Sequence, residues 1–136
     1  MNKKLFLDIN IVIDIIDEAR ASHLNAKNML IKIIEQDYEI YISEDVITTI
    51  YYVLKGNIKV LYFFKNIVNR WNVVSFGKDV IEESIDFSIR NNSDLEDTLQ
   101  CMCAKKNGCK TFITSDKKFI DCGIEILDYE QFLSKK

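Results

Sequence analysis

Apolar positions along this chain alternate between two periods, and the switches between them mark out the elements. KKLFLD (3–8) is a nearly continuous apolar run that closes on an acid, which predicts a short buried strand ending at Asp8. The helical period then takes over at 11–19, with Asn10 as the expected N-cap. It returns at 22–36, where Leu24, Met29, Leu30, Ile33 and Ile34 recur at helical spacing. YEIYIS (38–43) alternates and is rich in β-formers, so it predicts a strand. Ser43 is expected to cap a helix running to about Leu54, with Glu44 and Asp45 in its first turn, where carboxylates suit the helix dipole. Gly56 and Asn57 break that helix, and an apolar helix follows over about 58–70.

The second half repeats the rhythm. WNVVSF (71–76) predicts a strand, and 78–90 a helix ending at Asn91-Asn92. Ser93-Asp94-Leu95-Glu96 has the spacing of a capping box and opens a helix that stops near Gly108. KTFIT (110–114) predicts a strand, followed by Ser115-Asp116 and a turn; IEIL (124–127) predicts another, and 128–134 a terminal helical turn. Strands alternating with helices predict a three-layer α/β/α architecture with a mainly parallel central sheet of about five strands. No linker, repeat or low-complexity stretch divides the chain, so residues 1–136 are expected to form one domain.

Composition narrows the function classes. With 136 residues, 48% of them hydrophobic, the chain can bury a core without disulfides. A net charge of -3 argues against a simple electrostatic DNA binder. It leaves room for a nuclease, because a metal can bridge an acidic pocket to a phosphate. The N-terminal apolar run is interrupted by Asp8, Asn10 and Asp14, which neither a secretory signal nor a membrane span would tolerate; a cytoplasmic protein is the expectation. Cys101, Cys103, Cys109 and Cys122 are then expected as reduced, buried thiols. Cys101 and Cys103 stand two apart on a helix and there is no CxxC, so a zinc site is disfavoured.

The candidate chemistry lies in carboxylates. Asp8 and Asp116 each follow a strand, and Asp97 lies one turn into the helix opened at Ser93, on the face it shares with Asp94. In parallel sheets, sites form beyond the carboxyl ends of the strands. Acids gathered there repel one another, and oxygen ligands of this kind suit Mg²⁺ or Mn²⁺. Each acid also has a purely structural reading. Glu96 completes the capping box, Asp94 answers the helix dipole and Asp116 caps a turn. Glu44, Asp45, Glu82, Glu83 and Asp86 belong to solvated helix faces. Asp14 has two readings, facing the site or the solvent, and His23 is expected at the surface. A lone histidine leaves a nucleophilic triad without support, and no Gly-rich phosphate loop is present. Tyr51, Tyr52, Tyr62, Phe63 and Phe64 are expected mostly in the core, with some free to form a partner groove.

Four short motifs occur in order: Leu7-Asp8-Ile9-Asn10, Ile42-Ser43, Ser93-Asp94-Leu95-Glu96-Asp97 and Ile113-Thr114-Ser115-Asp116. Taken together, over essentially the whole chain, they resemble the PIN domain, a family of metal-dependent ribonucleases, and in particular the toxin of a VapBC-type toxin–antitoxin pair. The resemblance implies that Asp8, Asp97 and Asp116 hold Mg²⁺ or Mn²⁺, that Asn10 is an accessory group, and that Asp94 orients water or acts as a general base. It further implies an RNA substrate, a homodimer, and an antitoxin that occupies the site. One position departs from the family: a Glu usually stands about two turns into the helix after Ile-Ser, and here that place falls on Thr49. Asp45 lies four residues earlier on the same face and is the candidate substitute. Two rival readings remain beside a nuclease. One is a PIN-like protein-binding module with little or no catalysis. The other is a haloacid-dehalogenase-like phosphatase, against which Asn10 stands where those enzymes carry a second Asp.

Overall fold

The computed structural model describes residues 2–136. Five strands form one sheet: β1 (Lys4–Leu7), β2 (Glu39–Ser43), β3 (Asn72–Val74), β4 (Thr111–Ile113) and β5 (Glu125–Leu127). Their order is β3-β2-β1-β4-β5 and every pairing is parallel. Seven helices connect and cover them among the described residues: α1 (Ile9–Ile16), α2 (His23–Glu35), α3 (Asp45–Val53), α4 (Ile58–Ile67), α5 (Gly77–Asn91), α6 (Leu95–Lys106) and α7 (Tyr129–Ser134). The expected α/β/α architecture is present, with element ends trimmed by a few residues. No helix among the described residues is long and apolar enough to cross a membrane.

The pleat explains the three layers. Successive side chains of a strand point to opposite faces. Leu5 and Leu7 therefore pack on one side with α1, α2, α3, α4 and α7, while Phe6 packs on the other with α5 and α6. Ile113 and Phe112 divide in the same way, and Phe6 stacks on Phe112 with ring centroids 5.6 Å apart. Both faces of the central strands are covered, which is why β1 reads as an unbroken apolar run.

The cysteine expectation is corrected. Cys101 of α6 and Cys122 form a disulfide with their Cα atoms 6.2 Å apart, while Cys103 and Cys109 are free and buried. The reason lies in the crossover between β4 and β5. Parallel neighbours normally need a helix between them, but residues 114–124 contain none. This irregular segment is held down instead by the disulfide, by Phe119 stacked on Phe112 at 4.5 Å, and by Lys105 Nζ donating to the Cys122 carbonyl at 3.1 Å.

Several caps also differ from expectation. Asp8, not Asn10, is the N-cap of α1. Glu44 occupies the N-cap position of α3, and the Ser43 side chain goes elsewhere. Asp94 caps α6, so the Ser93–Glu96 box does not form; the Ser93 hydroxyl pairs with Ser88 and Thr98. Of the apolar residues expected to bury α2, Leu24 and Ile34 are exposed, and Ala26 joins Met29 and Ile33 inside. Tyr52 and Tyr62 are likewise exposed, whereas Phe64 is buried.

Candidate active site

The carboxyl ends of β1, β2 and β4 come level at one edge of the sheet. Phe6 is in register with Tyr41 and Phe112, and Leu7 with Ile113, so the chain delivers Asp8, Ser43 and Thr114 side by side. The Asp8 amide bonds the Ile113 carbonyl at 3.0 Å, which carries the pairing one step past the strand. A one-residue slip would turn Asp8 to the other face, and burial of both neighbours of β1 prevents it.

Asp8 is buried and held at both oxygens. Its Oδ1 accepts the Ile9 N–H at 2.8 Å, and its Oδ2 accepts the Thr114 hydroxyl at 2.7 Å. Burial pushes its pKa upward, these two bonds oppose the rise, and the charge of Asp116 adds to it. The Thr114 oxygen in turn accepts the Asp116 N–H at 3.0 Å. One hydroxyl thus links the acid after β1 to the acid after β4. Asp116 Oδ1 accepts the Lys118 N–H at 2.9 Å, so Asp116 does cap its turn, and its second oxygen has no hydrogen bond among the described residues.

Asp97 is half-buried in the first turn of α6, and its carboxylate makes no hydrogen bond among the described residues. Its pKa is raised to about 6, by burial first and then by the charges of Asp94, Asp8, Asp116 and Glu96. The three acids expected in the site therefore share one electrostatic field. Asp94 is exposed, and its Oδ1 is engaged by the Asp97 N–H at 3.0 Å, which is its capping bond. Glu96, freed from the expected box, forms no side-chain hydrogen bond among the described residues; its pKa is raised by partial burial and then by Asp45, Asp94 and Asp8.

Asp45 does not lie on a solvated face as expected. Its Oδ1 accepts the Ser43 hydroxyl, and Gln100 Nε2 donates to Ser43 Oγ at 2.9 Å and reaches Asp45 Oδ1 at 3.4 Å. Thr49 is exposed, and its hydroxyl donates to the Asp45 carbonyl at 3.0 Å, so it is turned back onto its own helix. Asn10 is exposed two residues past Asp8, without a side-chain hydrogen bond among the described residues. Lys117 and Lys118 are exposed beside Asp116. Asp14 faces neither site nor solvent. It is buried, paired with Arg20 Nε at 2.7 Å and with the Tyr129 hydroxyl at 2.8 Å, while its carbonyl meets His23 Nδ1 at 2.8 Å. Thr114, Gln100 and Glu96 are the residues that pattern reasoning left out of the site. Thr114 was legible as the hydroxyl between a strand end and an acid; Gln100, a polar residue three positions after Asp97, carried no local signal.

A cleft of about 560 Å³ opens on the far side of Asp116, lined by Thr114, Lys117, Phe119, Asp128 and Gln131 among others. It touches one of the three acids only. Among the described residues, no three Asp, Glu, His or Cys side chains close on one point as a finished metal cage. The donors are oxygens on mutually repelling carboxylates, with free lone pairs on Asp97 and Asp116. That donor set fits a hard divalent cation that keeps several of its own waters, as Mg²⁺ does.

The field on Asp97 has a measurable consequence in metal-free protein. The folded state holds the Asp97 proton more tightly than the unfolded chain, whose value is near 3.8. This contribution is therefore present below that value and is lost as pH rises through about 6. With chelator present, the denaturant midpoint should be higher at pH 5 than at pH 7, and Asp97→Asn should flatten that difference. An identical drop in the variant would refute the assignment.

Comparison with known proteins gives a consistent result. The model of the PIN domain family matches residues 5–124. Ribonuclease VapC1 of Aquifex aeolicus is 37% identical over 98% of this chain and 96% of its own. Among solved structures, Mycobacterium tuberculosis VapC20, described as a Sarcin-Ricin loop cleaving toxin, superposes with a TM-score of 0.71 at 16% identity, covering 88% of this chain and 95% of that one. A toxin–antitoxin complex from Klebsiella pneumoniae gives a TM-score of 0.71 at 17% identity, over 92% of this chain and 97% of that one.

Proposed function

The chain belongs to the PIN domain family, and from that membership we propose that it is a divalent-metal-dependent endoribonuclease, the toxin of a toxin–antitoxin pair. The observation that carries this reading is the approach of Asp8, Asp97 and Asp116 to one another at the carboxyl edge of the sheet, where Asp116 raises the pKa of Asp8 and both raise that of Asp97. The likeness to a ribonuclease along nearly the full length of both chains supports the reaction class. Family membership leaves no place for the phosphatase reading.

Asp8, Asp97 and Asp116 would hold Mg²⁺ or Mn²⁺, directly or through water. When bound, the ion would polarise a phosphoryl oxygen and make water a nucleophile near neutral pH. The chain's own contribution is preorganisation. Thr114 fixes the Asp8 carboxylate against rotation and ties the Asp116 backbone to it. The capping bond from Asp97 to Asp94 sets the first turn of α6, which carries Asp97 to the edge. Asp94, with one oxygen unbonded among the described residues, would orient an attacking water or accept its proton, and Asn10 would be an accessory polar group near Asp8. Lys117 and Lys118 offer positive charge beside Asp116 to an RNA backbone. The exposed apolar residues Tyr52, Val53, Ile58, Leu61 and Tyr62 of α3 and α4 give a surface for an antitoxin or a second copy of the chain.

Thr49 sharpens a second reading. With its hydroxyl turned away and no acid at that place, a partner-binding module with little catalysis would look the same on the α3–α4 surface. Incubation with RNA separates the two. Cleavage should appear with Mn²⁺ or Mg²⁺ and vanish with chelator; a protein inert under both conditions would be the binding module.

A further inference from the structure

We propose that Gln100 and Ser43 are positioning residues that hold the Asp45 carboxylate at the rim of the acidic site, where it supplies the charge that Thr49 does not. This rests on the metal-dependent reading above and adds to it a group of residues outside the three central acids.

Gln100 and Ser43 are 3% and 1% exposed. Buried polar groups cost free energy unless they are bonded, and a methionine and an alanine would fill the same space without that cost. Their polar ends converge on one oxygen instead. The serine hydroxyl has a single proton. With that proton on Asp45 Oδ1, the serine oxygen is left to accept from Gln100 Nε2 at 2.9 Å, and the same amide nitrogen lies 3.4 Å from that Asp45 oxygen. The Gln100 carbonyl oxygen, 3.2 Å from the Ser43 hydroxyl, is the competing acceptor for that proton, and the charged carboxylate is the stronger one. Asp45 Oδ2 accepts nothing among the described residues. The carboxylate is thus fixed in rotation, with one oxygen held and one open.

The placement of the anchors gives this geometry its meaning. Gln100 lies three residues after Asp97 on α6, so the two share a helix face. Ser43 ends β2 and is level with Asp8 on the neighbouring strand. The network therefore refers the orientation of Asp45 to the same two elements that carry the central acids. Thr49, one turn further along α3, bonds the Asp45 carbonyl and so leaves this carboxylate undisturbed.

The test is the rise in melting temperature of the intact chain with added Mn²⁺, compared among wild type, Asp45→Asn, Gln100→Met, Ser43→Ala and the Asp45→Asn/Gln100→Met double variant. Loss of an orienting partner raises the half-maximal Mn²⁺ concentration about tenfold in each single variant. The double variant should be no worse than Asp45→Asn alone, because Gln100 acts through Asp45. Ser43→Ala, a small change at a strand end, covers the case in which Gln100→Met fails to fold. The proposal is overturned if the variants melt lower without metal yet respond to the same Mn²⁺ concentration as wild type, or if the two shifts add. A wild-type protein with no Mn²⁺ response removes the metal reading itself and this inference with it, a result distinct from variants that track a responsive wild type.

Discussion

Asp8→Asn should reduce metal-dependent RNA cleavage by about a thousandfold and leave the fold standing. The magnitude follows from the several kcal/mol that a bound ion contributes to charge stabilisation in the transition state, with each 1.4 kcal/mol or so worth a factor of ten. The choice of Asn follows from what Asp8 does structurally. Its Oδ1 caps α1 through the Ile9 N–H, a role that Asn fills as well as Asp. Its Oδ2 accepts from Thr114, and that oxygen becomes an amide nitrogen in the variant. The Thr114 hydroxyl can then accept instead of donate. The buried carboxylate's unfavourable charge disappears at the same time, so the metal-free variant should melt no lower than wild type. Cleavage rates on a defined RNA with Mn²⁺, measured beside melting curves, decide the matter. Undiminished activity in the variant would sink the three-acid site, and loss of activity with loss of fold would show Asp8 to be structural only.

Breaking the Cys101–Cys122 link should cost about 3 kcal/mol of stability, the loop-closure value for a crosslink of this span. For a domain of this size that corresponds to a fall of roughly 10 °C in melting temperature. The effect should be the same by two routes, reduction of wild type with dithiothreitol and substitution as Cys101→Ser. Agreement between them excludes a packing defect at the new serine as the cause. The bond matters because residues 114–124 cross from β4 to β5 without a helix, so little else secures them. A fall of less than 3 °C or so by both routes would mean that Phe119 and Lys105 already hold that segment.

The strand–helix alternation made the layers readable because both faces of the sheet are covered and its inner strands are accordingly apolar throughout. The position of Asp8 at a strand end was readable for a related reason: a charge that directly follows a buried strand has few places to go, whereas Asp116 lies exposed, past Thr114 and Ser115, in the turn after β4. What escaped was set by tertiary partners. Ser93 and Asp94 are both good caps, and only the presence of Ser88 and Thr98 beside Ser93 decides between them. Ser43 likewise left its capping role for Asp45 and Gln100, a residue 57 positions away. The disulfide depends on how an irregular crossover packs on α6, which no local pattern records. Asp14 was ambiguous in an apolar run until Arg20 and Tyr129 were seen to complete it.

Thr49 and Asp8 differ in what surrounds them, and the difference bears on how such a site tolerates change. Asp8 sits buried at the end of the central strand, as the N-cap of α1, and is bonded through both carboxylate oxygens. Position 49 lies on an exposed helix turn whose hydroxyl is satisfied by its own backbone. Replacing a side chain there disturbs no packing and orphans no buried group. The centre of the pocket is thus answerable to the fold, whereas its margin is answerable only to what binds. On the metal-dependent reading proposed above, variation in metal preference or RNA choice has room to accumulate at that margin without passing through an unstable intermediate sequence.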